Sequence, residues 1–159
     1  MNVNFYGTLY ITKTFLPNLL TRPLAHIMNI SSRGGFLPVP EQAIYGATKV
    51  AVKLLTEGLH SEWIHINVNV IVVFPGEISA NITANSGLGN SSASSSKENK
   101  SFAMLPPAKA AQIIIEGMEQ NRYRILVGKE ARIIGCLPRL NPGYAANLIY
   151  SKKKGLLAN

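Results

Sequence analysis

The segment Ile66 to Phe74 constrains the fold more than any other. Val68, Val70, Ile71, Val72, Val73 and Phe74 make it almost continuously apolar. A strand with one wet face alternates apolar and polar residues; a run like this one is covered on both faces, as a central parallel strand is. A parallel neighbour needs a long crossover. The chain supplies one: Leu24 to Ile30 reads as an earlier strand, and Gln42 to Ile64 between the two has helical spacing, with Val50, Ala51, Leu54, Leu55 and Leu59 as its apolar stripe. Strand, helix, strand is the unit of an α/β sheet. Pro106-Pro107 opens a further helix, with Ala110, Ala111, Ile114, Ile115 and Met118 as its buried face. Arg122 to Val127 follows as a third strand, closed by Gly128. Met1 to Leu20 reads as a helix too. Its apolar residues Phe5, Leu9, Phe15, Leu16, Leu19 and Leu20 fit one face only loosely, which predicts burial on much of its surface. Pro17 marks a kink or its last turns.

The chemistry collects where the first strand ends. Ser31-Ser32-Arg33-Gly34-Gly35 leaves that strand, and a loop with Pro38 and Pro40 runs on to Glu41. The helix then carries Tyr45-Gly46-Ala47-Thr48-Lys49, with Tyr45 and Lys49 on one face because they lie four apart. A hydroxyl at a strand end, facing a phenol and an ammonium, suits proton transfer to and from an oxygen. A phenol is a poor base at neutral pH, its unperturbed pKa being about 10. A neighbouring ammonium stabilises the phenolate and brings the proton within reach. The bland alternative is an ordinary half-exposed helix pair, since a lone Y-x-x-x-K arises by chance in many helices.

The ordered set is far more specific. Asn29-Ile-Ser-Ser32, then Tyr45-x-x-x-Lys49, then Phe74-Pro75-Gly76-Glu77-Ile78, resembles the short-chain dehydrogenases/reductases, with Ser32 at that family's usual thirteen positions before Tyr45. The resemblance implies hydride transfer between NAD or NADP and a carbonyl or secondary alcohol. It implies Tyr45 as general acid/base, Lys49 as the group that lowers its pKa and holds the nicotinamide ribose, and Ser32 as the hydrogen-bond donor to the substrate oxygen. Asn2-Val-Asn-Phe-Tyr-Gly7 matches the segment that brings an asparagine into the family's site, so Asn4 becomes the fourth catalytic residue, holding a relay water. A helix-capping asparagine is the competing reading. Pro75, Gly76 and the backbone of Ile78 would lie against the nicotinamide. The threonine common two positions after Ile78 is here Ala80, with Ser79 and Thr83 as candidate replacements.

The resemblance covers nearly all of this chain and only the second half of the family's domain. No G-x-x-x-G-x-G or G-x-G-x-x-G follows a strand, and Gly87-Leu88-Gly89 lies inside a serine-rich loop. The expected fold is therefore α/β, the C-terminal half of a Rossmann-like doubly wound parallel sheet, with three strands and flanking helices. Residues 1–128 form that half domain, 81–105 its substrate-loop region, and 129–159 a basic helical tail. The resemblance therefore implies an incomplete cofactor site without the residue that chooses NAD or NADP, and little or no activity is expected of this polypeptide alone. The first strand should present an open apolar edge unless another chain covers it.

Composition narrows the alternatives. The 159 residues suffice for one domain with a core, and 47% hydrophobic content is ordinary for a globular protein. Cys136 is the single cysteine, so no internal disulfide forms, in keeping with a reducing, cytoplasmic setting. All eight acidic residues are glutamate, which excludes an aspartate base or metal ligand. His26 has no second ligand at metal spacing, and His60, Glu62 and His65 read as surface residues, so no metal site is expected. No apolar stretch is long enough to span a bilayer, and the N-terminus does not read as a secretory leader.

Of the net charge of +8, all but one unit is carried from Arg122 onward. Within the tail, apolar residues among Arg132, Arg139 and Lys152 to Lys154 allow a peripheral membrane-surface role, against ordinary packing with solvated lysines. A nucleic-acid role has no recognised module to support it. The serine-rich run Ser91 to Ser96 is either part of a substrate lid or a surface insertion. Two functional alternatives stand beside the enzyme: a non-catalytic remnant that acts by associating with other subunits or a second copy through its first two helices, and a basic membrane-surface protein. Apolar residues in loop and tail lean toward hydrophobic ketones, steroids or acyl lipids as substrates.

Overall fold

The computed structural model describes residues 1–37, 39–79, 104–128 and 140–153. A π-helical turn (Asn2–Gly7) leads into α1 (Thr8–Leu20), β1 (Ala25–Ile30), a 3₁₀ turn (Arg33–Gly35) and α2 (Ala43–Glu62). Then come β2 (Val68–Pro75), α3 (Pro107–Glu119), β3 (Arg124–Val127) and α4 (Pro142–Lys153). The three strands form one sheet in the order β1-β2-β3, all parallel. Ala25 faces Val68 and Ile30 faces Val73 on one side of β2; Val72 faces Arg124 and Pro75 faces Val127 on the other. These are the three parallel strands with flanking helices that the sequence predicts.

Each face of β2 has its own helix. Ile71 and Val73 pack with Ile125, Val127 and Ala110, closed over by Ile113, Ile114 and Met118 of α3. The opposite face carries Val68 with Ala25 and Ile27, against Leu19 and Trp63. Period-two alternation puts Val70, Val72 and Phe74 on that second face as well, and all three are buried. A buried amide joins sheet to helix: Asn29 Nδ2 donates to Thr56 Oγ1 at 3.0 Å, and that hydroxyl donates to Val52 O at 2.6 Å.

Two expectations are corrected, for α1 and His60, and the buried face of α2 is defined. Helix α1 is not buried on much of its surface: Thr12 is its sole buried residue, and Tyr10, Ile11, Phe15 and Leu20 are exposed. It lies along the outer edge of β1, where no further strand is present among the described residues to cover it. The face that α2 turns to the sheet is Thr48, Val52 and Thr56, not the apolar stripe; Leu54 of that stripe is 65% exposed. His60 is not a surface residue. Its Nδ1 donates to Val70 O at 3.1 Å, and its ring stacks on Tyr123 at 3.9 Å. Val70 lies two residues before Val72, where the paired register of β2 and β3 begins.

The strand starts are held by side chains. Asn121 Oδ1 receives His26 Nε2 at 2.8 Å and Asn69 Nδ2 at 2.9 Å, which stabilises Asn121 in its left-handed conformation (φ 51°). The expected basic tail falls partly on residues 129–139, and the expected serine-rich loop on residues 80–103, both outside the described residues. No helix among the described residues is long and apolar enough to cross a membrane.

Candidate active site

Of the residues that the sequence marks, Ser32 follows the carboxyl end of β1, Pro75, Gly76 and Ile78 lie at or after that of β2, Tyr45 and Lys49 lie on α2, and Asn4 lies on the N-terminal turn. Open α/β sheets bind ligands at the carboxyl ends of their strands. At the end of β1, Ser31 is buried and its Oγ donates to Lys49 O at 2.8 Å, tying the strand to α2. Ser32 caps the following turn by accepting from Gly34 N at 3.2 Å. As that oxygen acts as an acceptor there, its own O–H remains available to point outward.

The turn is wedged against α2 because glycines leave the room. A Cβ on Gly35 would stand 2.7 Å from Ser31 Oγ and 3.3 Å from Lys49 O. One on Gly34 would touch the Tyr45 ring at 3.6 Å, and one on Gly46 would press on Gly34 O at 3.1 Å. The Ser32 turn and the first turn of α2 therefore share one surface.

Tyr45 lies in that first turn and is 40% exposed. One turn on, Lys49 Nζ donates to Ile30 O at 3.0 Å and sits 5.8 Å from the Tyr45 ring centroid, within cation–π range. One of its three donors is used there, leaving two. Asn4 reaches the same turn through Thr48: Asn4 Nδ2 donates to Thr48 Oγ1 at 3.1 Å, and Thr48 Oγ1 donates to Tyr45 O at 2.7 Å. Asn4 is thus no helix cap. Its own carbonyl receives Thr8 Oγ1 at 3.0 Å. Asn4 and Lys49 line one groove of about 550 Å³ along α1 and the edge of β1.

The neighbouring loop is equally fixed. Gly76 N donates to Val127 O at 2.8 Å, and a Cβ on Gly76 would lie 2.7 Å from that same carbonyl, so only glycine fits after Pro75. Ile78 bridges Leu105, with Leu105 N donating to Glu77 O and Ser79 N to Leu105 O, both at 3.0 Å. Both apolar side chains pack on the α3 side of the sheet. Ala80 and Thr83 lie outside the described residues.

Sequence reasoning misses Ser31, Thr48 and the ion pair Arg33–Glu77. Thr48, Val52 and Thr56 recur at helical spacing, and that register holds the signal for Thr48. Nothing in the sequence pairs Arg33 with Glu77, which are 44 positions apart. Among the described residues, no cluster of His, Cys and Glu has the makings of a metal site.

The short chain dehydrogenase family matches residues 1–90, more than half of the chain. This chain belongs to the short chain dehydrogenases. SadH of Mycobacterium tuberculosis, a putative oxidoreductase, is 32% identical over 145 residues, covering 88% of this chain and 52% of that one. The chain thus spans about half the length of the curated relatives it matches. Two solved structures share its fold. A short chain dehydrogenase from Burkholderia cenocepacia, crystallised with NADP, has a TM-score of 0.71 at 22% identity and covers 94% of this chain and 57% of its own. A short chain dehydrogenase/reductase from Burkholderia phymatum, crystallised with NAD, has a TM-score of 0.72 at 21% identity, with 91% and 57% covered.

Proposed function

We propose that this short chain dehydrogenase supplies the substrate-activating half of an oxidoreductase site, for hydride transfer between NAD or NADP and a carbonyl or secondary alcohol. The observation that carries this reading is the shared surface of the Ser32 turn and the Tyr45–Lys49 face of α2 at the end of β1. In the reducing direction, Tyr45 Oη gives its proton to the carbonyl oxygen as the C–H bond forms at the carbonyl carbon. Ser32 Oγ–H donates to that oxygen and stabilises its developing charge. Lys49 stabilises the phenolate left behind and uses its remaining donors on the ribose. Asn4 holds a relay water on the second lone pair of its carbonyl, beside Thr8 Oγ1.

The bound nicotinamide supplies or accepts the hydride. The residues present fit that end of the cofactor: the exposed Tyr45 phenol and the half-buried Lys49 ammonium suit a ribose, and Pro75, Gly76 and Ile78 form a fixed backbone ledge that Glu77 joins to the Ser32 turn through Arg33. Among the described residues, no glycine-rich turn opens a helix at a strand end to take the pyrophosphate. Affinity for NADP or NAD by this chain alone should therefore be low, and its turnover slow. The substrate class that the apolar surroundings favour is a hydrophobic ketone or the matching alcohol.

Ketone reduction with NADPH and NADH tests the assignment. Tyr45→Phe should remove whatever turnover the chain has, by about 10²- to 10⁴-fold. Turnover that Tyr45→Phe leaves unchanged overturns the role of Tyr45, and NADPH affinity equal to that of a complete family member overturns the incomplete site.

A second reading rests on a separate observation. Phe5, Ala51, Leu54, Leu55, Gly58 and Leu59, together with Glu62, line a largely apolar groove between the N-terminal turn and α2. Gly58 sits mid-helix with open space where its Cβ would be, at a cost of about 0.5–1 kcal/mol against alanine. A glycine on such a face suits close approach by another surface. A second copy docked there makes the chain an associating subunit, with or without turnover.

A further inference from the structure

The Arg33–Glu77 ion pair crosses the candidate site, joining the turn after β1 to the loop after β2. Arg33 Nη2 lies 2.7 Å from Glu77 Oε1, and the two side chains are 26% and 40% exposed. Ion pairs this exposed add little to overall stability. Their geometric effect depends on what each end is attached to, and here both ends are stiff. Arg33 belongs to the 3₁₀ turn capped by Ser32 and wedged on Tyr45 and Lys49 through Gly34 and Gly35. Glu77 lies between Gly76, bonded to Val127, and Ile78, bridged to Leu105. A link between two stiff pieces fixes their separation.

We propose that Arg33 and Glu77 are positioning residues, a clasp that holds the Ser32–Tyr45 surface and the Ile78 ledge at a set distance. This inference rests on the reading of the site given above, in which the nicotinamide ring enters between those two surfaces. The clasp sets the width of that opening before any ligand arrives, so a ring bound there meets a preformed slot and less ordering is needed on binding. The paired charges also keep the guanidinium directed at Glu77 rather than at the oxygen held by Ser32 and Tyr45.

The test uses Arg33→Met, Glu77→Gln and the charge swap Arg33→Glu/Glu77→Arg in the whole chain. The probe is reduced nicotinamide mononucleotide, which carries the nicotinamide ribose without the adenine half. Its affinity is read by NMR titration, alongside amide hydrogen exchange at Ser79 and Leu105 and the melting temperature. Each single variant should weaken the probe and speed exchange by about two- to fivefold, the factor an ion pair of this exposure can supply. Melting should stay close to the parent, and the swap should restore both readouts. Faster exchange with unchanged probe affinity overturns the positioning role. A swap that behaves as the sum of the single variants overturns the clasp itself. If the parent chain does not take the probe while exchange still responds to the single variants and recovers in the swap, the cofactor reading falls and the link between the two loops stands.

Discussion

The two sides of β2 are built from similar residues and end in different states. Toward β3, the core formed by Ile71, Val73, Ile125, Val127 and Ala110 is closed by α3, and each of those residues is buried. Toward β1, the sheet ends in an edge, α1 exposes Ile11 and Phe15, and α2 exposes Ile44, Val50 and Leu54. Hydrophobic pattern records which residues gain from leaving water. It does not record whether the surface that would cover them is part of the same chain. On the open side, a groove of mixed lining runs between α1 and β1, with Ile11, Phe15 and Ile27 beside Thr8, Thr12 and Asn29.

Phenylalanine offers the largest contrast between the two states. Phe74 is 0% exposed, tilted against Phe36 at 4.2 Å and flanked by the Arg124 guanidinium at 4.9 Å. Phe15 on α1 is 55% exposed. Phe74→Ala should cost about 3–5 kcal/mol in urea unfolding, and Phe15→Ala less than about 0.5 kcal/mol. Equal losses at the two positions would mean that the edge side is already covered in solution.

The glycines sharpen this by sign rather than size. A Cβ on Gly117 of α3 would stand 2.6 Å from Ile125 Cδ1, so the helix approaches β3 through that gap. Gly117→Ala should destabilise by about 1–3 kcal/mol through overpacking. Gly58→Ala, in the open middle of α2, should instead stabilise by about 0.5–1 kcal/mol as backbone entropy is recovered. Thermal unfolding of both variants at one low concentration checks the pair. A destabilising Gly58→Ala would place another surface against that face.

The same division decides what is legible in the sequence. Strand β2 is legible because a run buried on both faces needs no knowledge of neighbours beyond being central. The motif around Ser32, Tyr45 and Lys49 is legible because it is local: a strand end, a turn and the next helix. Helix α1 misleads because apolar residues all round a helix mean burial only where covering elements exist on every side. The stripe on α2 does not tell which face meets the sheet: Thr48, Val52 and Thr56 are the buried residues, and Asn29 on β1 donates to Thr56 there. His60 misleads because its partner, Val70 O, is a backbone group of a strand, and no side-chain pattern announces such a partner. The Arg33–Glu77 pair is invisible because only the parallel register of β1 and β2 brings their ends together.

The smallest expected change in stability is the one that bears most directly on the open side. Leu54 is 65% exposed and borders the groove with Phe5, Leu55 and Leu59. In an isolated chain, Leu54→Lys gives up almost no buried area, so its unfolding free energy should stay within about 0.5 kcal/mol of the parent. In a pair of chains joined face to face, the same change brings an ammonium group from each chain into a largely apolar contact that also holds Glu62, and desolvating those charges opposes association. Sedimentation velocity across a concentration series separates these cases. The parent should grow in mass with concentration while Leu54→Lys remains a monomer of unchanged stability. Should the parent and the variant both stay monomeric at every concentration, the stripe on α2 is not a self-association surface, and the uncovered edge of β1 alone is left to explain why one side of this sheet is unfinished.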